Sequence, residues 1–213
     1  MTEGIQRVAI NTGGGDAPGL NAVIRAAVIS GLRRGWEMVG IRDGYTGALA
    51  ADRYPDGGVI QLDREAVRGI TLLGGTFLGT TNKGNPLAFP VRREDGTVEI
   101  VDRGDEIVRS LEEQGIDALI AIGGDGSLGI ANVLAQKGVR VIGVPKTIDN
   151  DLEETVVTFG YDSAVAFATE CIDRLHTTAE AHDRVMVVEV MGRYAGWIAV
   201  GAGVAATADA ILI

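Results

Sequence analysis

Short apolar runs alternate along the chain with longer stretches whose apolar positions recur every three or four residues. RVAINT (7–12) reads as a strand buried on both faces. The stretch 19–36 then sets Leu20, Val23, Ile24, Ala27, Val28 and Leu32 on one helical stripe. EMVGIR predicts a second strand, and GDEIVRSLEEQG predicts a helix closed by Gly115. DALIAIGGDG and VRVIGVPKTIDND predict strands on either side of the helix SLGIANVLAQKG. A long helix, SAVAFATECIDRLHTTAEAH, carries Ala164, Ala168, Cys171 and Leu175 on one stripe. RVMVVEVMGR (184–193) and ADAILI (208–213) predict two further strands. Continuous apolar strands joined by helices give an α/β class with a parallel sheet and right-handed crossovers. Residues 44–104 are less regular, and DGYTGALAADRYPDGG and KGNPLAFPVRREDGTVE predict turns and a hairpin. The polar TIDNDLEET separates two α/β runs, so two α/β domains are expected, 1–155 and 156–213.

The net charge of −10 argues against a nucleic-acid or anionic-membrane surface, which needs broad positive potential. No apolar run approaches the roughly 20 residues of a membrane span, and MTEGIQRVAINT enters a strand with no signal peptide before it. One cysteine and two histidines leave no internal disulfide and no ordinary zinc site. A cytoplasmic protein is expected.

Ligands of open parallel sheets bind beyond the carboxyl ends of the strands. Four predicted strands end there in polar loops: GGGD, GGDG, PKTIDND and MGR. In GGDGS, Gly124, Asp125, Gly126 and Ser127 combine bare backbone with a helix N-terminus, which suits phosphate. Asp125 at that place makes sense if Mg²⁺ bridges the carboxylate and the phosphates. GxxxxGK[ST] is absent, and no GxGxxG follows a strand here. In PKTIDND, Asp149 is the candidate base that takes a proton from an attacking hydroxyl. Asp151 orients it or acts on the metal, and Lys146 sets a positive charge against the transferring group. Arg193 of MGR and Arg184 offer guanidinium forks for phosphate esters. A capped turn is the bland reading of each loop, and their convergence on one rim weighs against it.

With these motifs in place, the chain resembles the phosphofructokinase family. GGGDAPGLNAVIR, GGTFLGT, IGGDGS, PKTIDND and VVEVMGR occur in the family's order and span almost all 213 residues. IGGDGS alone is shared with NAD kinases and diacylglycerol kinases. The resemblance implies a Rossmann-like three-layer sandwich in two α/β domains, a donor-binding domain and the start of a smaller sugar-phosphate-binding one. It implies transfer of a phosphoryl group to the 1-hydroxyl of fructose 6-phosphate. By it, Gly15 meets the donor phosphates, and Gly124, Asp125, Gly126 and Ser127 hold the nucleotide, with Mg²⁺ at Asp125. Thr147, Ile148 and Asp149 line the sugar, and Met191, Gly192 and Arg193 complete that pocket. Arg184 resembles an arginine that reaches a neighbouring subunit's sugar phosphate, so a homo-oligomer, dimer or tetramer, is implied. Asp16 and Asn21 are expected to brace the GGGDAPG turn.

The chain departs from the family pattern in places. Gly126 matches members that use ATP, whereas Lys146 resembles those that use pyrophosphate. Gly126 decides whether a nucleoside fits, so ATP is the expected donor and pyrophosphate the alternative. Asn82 stands where many members carry an arginine on the transferring phosphate, and Lys83 is adjacent to substitute. Arg25 resembles one effector-binding arginine, while Ile29 replaces a second, which leaves effector regulation in doubt. Family chains continue for roughly a hundred residues or more past ADAILI. The second domain is therefore expected to be incomplete and the chain alone weakly active or inactive, with a non-catalytic nucleotide-binding fragment as a further reading.

Overall fold

The computed structural model describes residues 4–213. They form two compact units, one ending at Pro145 and the other Lys146–Ile213.

The first unit contains β1 (Arg7–Thr12), α1 (Leu20–Arg33), β2 (Glu37–Ile41), α2 (Thr46–Leu49), β3 (Val59–Gln61), β4 (Phe89–Arg92), β5 (Val98–Val101), α3 (Gly104–Glu113), β6 (Ala118–Gly123) and α4 (Asp125–Gln136). It also holds most of β7 (Val141–Thr147). The strand order is β3-β2-β1-β6-β7, parallel except for β3 on the outer edge of β2. β4 and β5 form the separate hairpin that KGNPLAFPVRREDGTVE predicts.

Strand residues alternate between two covered faces. Ala9, Val39, Leu119 and Ala121 pack on Ile107 and Leu111 of α3 and on Ala131 and Leu134 of α4. On the other face Met38 fits against Gly31 of α1, whose buried stripe is Leu20, Ile24 and Val28. Helices on both faces of a parallel sheet make the three layers expected. Each such large side chain, once buried, contributes about 1.5–3 kcal/mol.

In the second unit the end of β7 pairs in parallel with β8 (Phe159–Gly160), with Lys146 opposite Phe159 and Thr147 opposite Gly160. α5 (Tyr161–His182) packs on α6 (Trp197–Ala205), where Tyr161 OH donates to Trp197 O at 3.2 Å. Sequence patterning missed α6 because WIAVGAGVA is apolar all round and shows no periodic face. Two expected strands are not formed. Residues 184–193 and 208–213 carry no ladder, and the backbone of 185–191 pairs with nothing among the described residues. Their β-branched pattern is that of a strand, but a strand exists only beside a neighbour that accepts its hydrogen bonds. Val187 is 90% exposed in consequence. No helix among the described residues is long and apolar enough to cross a membrane.

Backbone meets backbone most closely where α2 passes the residue before β3. A methyl on Gly47 would overlap Gly58 O and lie 2.9 Å from Arg42 N. Gly47→Ala is expected to lower unfolding free energy by about 1–3 kcal/mol through overpacking. Gly129→Ala, in the interior of α4 where a methyl meets nothing within 4 Å, is expected to raise it by about 0.5–1 kcal/mol. Urea midpoints of the two variants check both signs.

Candidate active site

Strand order reverses between β1 and β6: the chain runs one way to β2 and β3, then returns on the other side to β6 and β7. Loops leaving a parallel sheet at such a point diverge and leave a crevice. Here those loops are GGGD after β1 and GGDGS after β6. Thr12 sits opposite Ile122, and Gly13 N donates to Ile122 O at 2.9 Å, so both loops start at one level. A third segment joins them. Gly14 N donates to Thr81 O at 3.1 Å and Thr80 Oγ1 donates to Gly14 O at 2.6 Å. Asn82 and Lys83 follow immediately, with Lys83 N on Thr81 Oγ1 at 3.1 Å. Asn21 does not brace the 13–19 turn. Its Nδ2 donates to Leu73 O at 2.9 Å, and its Oδ1 accepts from Phe77 N at 2.8 Å, holding the segment before Thr80.

The glycines of these loops divide by cause. Gly13 and Gly123 are bare because Ser127 needs the room. A methyl on Gly13 would come within 2.5 Å of Ser127 Oγ, and one on Gly123 would overlap Ser127 Cβ. Ser127 thereby seats the first turn of α4 against the β1 loop. Gly126 and Gly15 are different, since a methyl on either meets nothing within 4 Å. Gly126 stands in the first turn of α4, whose N-cap is Gly124 and whose first residue is Asp125. The first amides of a helix have no partner within it and face outward. The described residues contain no group of three or more metal-ligating side chains. A lone carboxylate beside amide donors fits Mg²⁺, which is held by one or two carboxylates together with substrate phosphates.

The second unit carries the other expected residues, and Lys146, Asp151 and Arg193 act on the Asp149 carboxyl. Lys146, only 4% exposed, ends the strand with Thr147, and Ile148, Asp149 and Asp151 follow. Asn150, between the two aspartates, takes the left-handed conformation with φ 52°. Burial pushes the Asp149 carboxyl above the usual range, and the Asp151 charge pushes it further. The cations Arg193 and Lys146 pull the other way. Gly192 is buried at φ 143°, and Arg193, at φ 54°, stands with its guanidinium 6.0 Å from the Tyr194 ring centre. Met191 is 74% exposed. Arg184 is not among the charges acting on Asp149. It lines a cavity of about 380 Å³ with Ile172, His176, Met186 and Ile211.

Sequence reasoning missed Thr80, Thr158 and the socket role of Gly13. Thr158 is 1% exposed and bonds to the PKTIDND loop, but it stands apart from that motif in sequence and no spacing rule marks it.

The raised Asp149 pKa has a consequence for stability. A carboxylate whose folded pKa is raised is disfavoured by the fold once ionised, so its charge costs stability above its unfolded pKa. Below both pKa values the group is neutral in both states and the cost vanishes. Asp149→Asn is therefore expected to raise the thermal midpoint at pH 7, with the gain shrinking as pH falls through the carboxylate range. Thermal melts of both proteins between pH 3 and pH 8 check it.

Residues 7–213 match the family model for phosphofructokinase. The chain is 50% identical over 214 residues to ATP-dependent 6-phosphofructokinase 2 of Clostridium perfringens, covering 100% of this chain and 57% of that protein. It is 53% identical over 208 residues to the pyrophosphate–fructose 6-phosphate 1-phosphotransferase of Amycolatopsis methanolica, covering 97% and 56%. Among solved structures, the T-state phosphofructokinase of Pichia pastoris superposes with a TM-score of 0.81 at 32% identity, covering 98% of this chain and 22% of that one. The chain thus spans a little over half the length of the curated relatives it matches. On the family match across nearly its whole length, the chain belongs to the phosphofructokinase family.

Proposed function

We propose that the protein is a 6-phosphofructokinase that transfers the γ-phosphoryl group of ATP to the 1-hydroxyl of fructose 6-phosphate, giving fructose 1,6-bisphosphate and ADP. One observation carries the reading. A carboxyl group held above its usual pKa, Asp149, is gathered with Asp151, Lys146 and Arg193 in one unit. Such a carboxylate is a stronger base than a solvated one. It takes the hydroxyl proton as the oxygen attacks phosphorus. Lys146 and Arg193 offset the charge on the transferring phosphoryl oxygens, Arg193 as a fork and Lys146 as a point charge. Thr147, Ile148, Met191 and Gly192 line the sugar. Arg184 takes the sugar phosphate from a neighbouring subunit, in keeping with a homo-oligomer.

The donor side belongs to the first unit. Gly15, Gly124, Asp125, Gly126 and Ser127 receive the donor phosphates, with Asn82 and Lys83 at their edge. Asp125 holds Mg²⁺ against those phosphates, and the ion supplies charge neutralisation of the donor oxygens when bound. The first unit is read as the donor-binding domain, and the second as part of the sugar-phosphate domain of a cytoplasmic enzyme.

ATP is preferred on the space at Gly126, where even a methyl meets nothing within 4 Å. Pyrophosphate is the second reading. It rests on Lys146 and on the relative named as a pyrophosphate-dependent enzyme.

The test supplies fructose 6-phosphate and Mg²⁺ with ATP or with pyrophosphate and measures fructose 1,6-bisphosphate. Turnover with ATP alone is expected. Asp149→Asn is expected to lower kcat by roughly 10²–10⁴-fold, the usual worth of a general base. Gly126→Asp is expected to weaken ATP far more than pyrophosphate. Turnover with pyrophosphate alone would overturn the donor assignment. ATP binding by calorimetry without turnover from either donor would favour the non-catalytic nucleotide-binding reading.

A further inference from the structure

A short polar clasp closes on the loop that carries Asp149. Thr158 precedes β8 and is 1% exposed. Its Oγ1 donates to Thr147 O at 2.7 Å, and its backbone N donates to Asn150 Oδ1 at 2.9 Å. Thr147 Oγ1 in turn accepts from Asp149 N at 3.1 Å. Thr147 and Asn150, on either side of Asp149, are therefore tied to one residue that lies eight positions after Asn150, outside PKTIDND. The β7–β8 pairing, Lys146 opposite Phe159 and Thr147 opposite Gly160, brings Thr158 to that place.

Asn150 makes the clasp directional. In an ordinary extended run, alternate side chains leave the same face. Asn150 breaks the run by turning left-handed at φ 52°, a conformation asparagine tolerates better than most residues. Its side chain accepts the Thr158 amide, which fixes the turn, and so fixes where the carboxylates before and after it point. With Thr158 in place Asp149 is held under the influence of Lys146, Arg193 and Asp151 together. Without the Thr158 hydroxyl the loop loses its tie at Thr147 O, while the Thr147 bond to Asp149 N remains.

We propose that Thr158 and Asn150 are positioning residues for phosphoryl transfer: acting through the loop backbone, they aim the Asp149 carboxylate at the attacking hydroxyl. The proposal rests on the reading of Asp149 as the base. Neither residue touches substrate in this scheme, so their effect falls on kcat and leaves donor affinity alone. A misplacement on the order of 1 Å costs about 10²-fold in rate.

The test uses Thr158→Val, which keeps the shape and removes the hydroxyl, and Thr158→Ser, which restores it. Asn150→Gly keeps the left-handed backbone and removes the acceptor. Two readouts are taken on the whole chain: steady-state kinetics across pH, and titration of the Asp149 carboxyl by carbon-13 NMR with its resonance assigned from Asp149→Asn. Thr158→Val and Asn150→Gly are expected to lower kcat by about 10–10²-fold, with KM for ATP within twofold. In both, the Asp149 titration moves down toward that of a solvated carboxylate. Thr158→Ser is expected to restore both readouts.

A wild-type kcat and an unmoved Asp149 titration in Thr158→Val would overturn the proposal. So would equal losses in Thr158→Val and Thr158→Ser, which would mark a packing effect. If Thr158→Val fails to fold, Asn150→Gly decides by the same titration. The titration also decides if the chain shows no turnover, because it reports the aim of Asp149 without catalysis. Wild-type turnover by Asp149→Asn would refute the base assignment instead, and the titration separates the two failures.

Discussion

Two strands that run side by side in a parallel sheet deliver their following loops to the same place, and there is no room there for two sets of side chains. Thr12 opposite Ile122 fixes the level, and Gly13 N on Ile122 O holds it. Ser127 then fills the gap that Gly13 and Gly123 leave. This contact decides the attitude of α4, because its first turn is seated by that serine. The direction in which the helix amides face follows from it. The laced segment of Thr80 and Thr81 depends on the same level, since it bonds to Gly14, one residue beyond Gly13.

On the reading of Asp149 as the base, the second unit solves a different problem. A base must be strong enough to take a hydroxyl proton and still be ionised when substrate arrives. Burial and the Asp151 charge raise Asp149, while Arg193 and Lys146 restrain it. The balance is positional, so it holds only while the loop keeps its shape. That is why the hydrogen bonds of Thr158 and Asn150 matter more than their modest individual worth, about 0.5–1.5 kcal/mol each. Pulled into solvent, Asp149 would lose its burial and its cations together.

The fold of the first unit was legible because its signals were local and periodic. β1, β2, β6 and β7 are apolar runs, and α1, α3 and α4 carry clear stripes. The motif loops were legible as well, since glycines after a strand are conspicuous. The second unit was less so. The run 184–193 has the composition of a strand, yet composition cannot supply the neighbour a strand requires. WIAVGAGVA has no polar face, so periodicity had nothing to detect. The cause of each glycine was invisible in sequence: Gly13 and Gly126 look alike there, but one makes room for Ser127 and the other faces open space. Thr158 was hidden for the reason that most positioning residues are, namely that its partners are brought to it by strand pairing.

That difference between the glycines also bears on the conflict over the donor. Lys146 and Gly126 point to different donors when each is read as a family mark. On the proposed reading they do not compete, because they act on different atoms. Lys146 is buried and its charge acts on Asp149, so on that reading it falls on the phosphoryl group in transfer. That group is chemically the same whether ADP or phosphate leaves, so a cation there assists both donors alike. Gly126 stands at the second residue of α4, where on the same reading the remainder of the donor extends, and only there would ATP and pyrophosphate differ in bulk. A discriminating residue must touch what differs between two ligands. The open space at Gly126 meets that condition, and the charge on Lys146 does not.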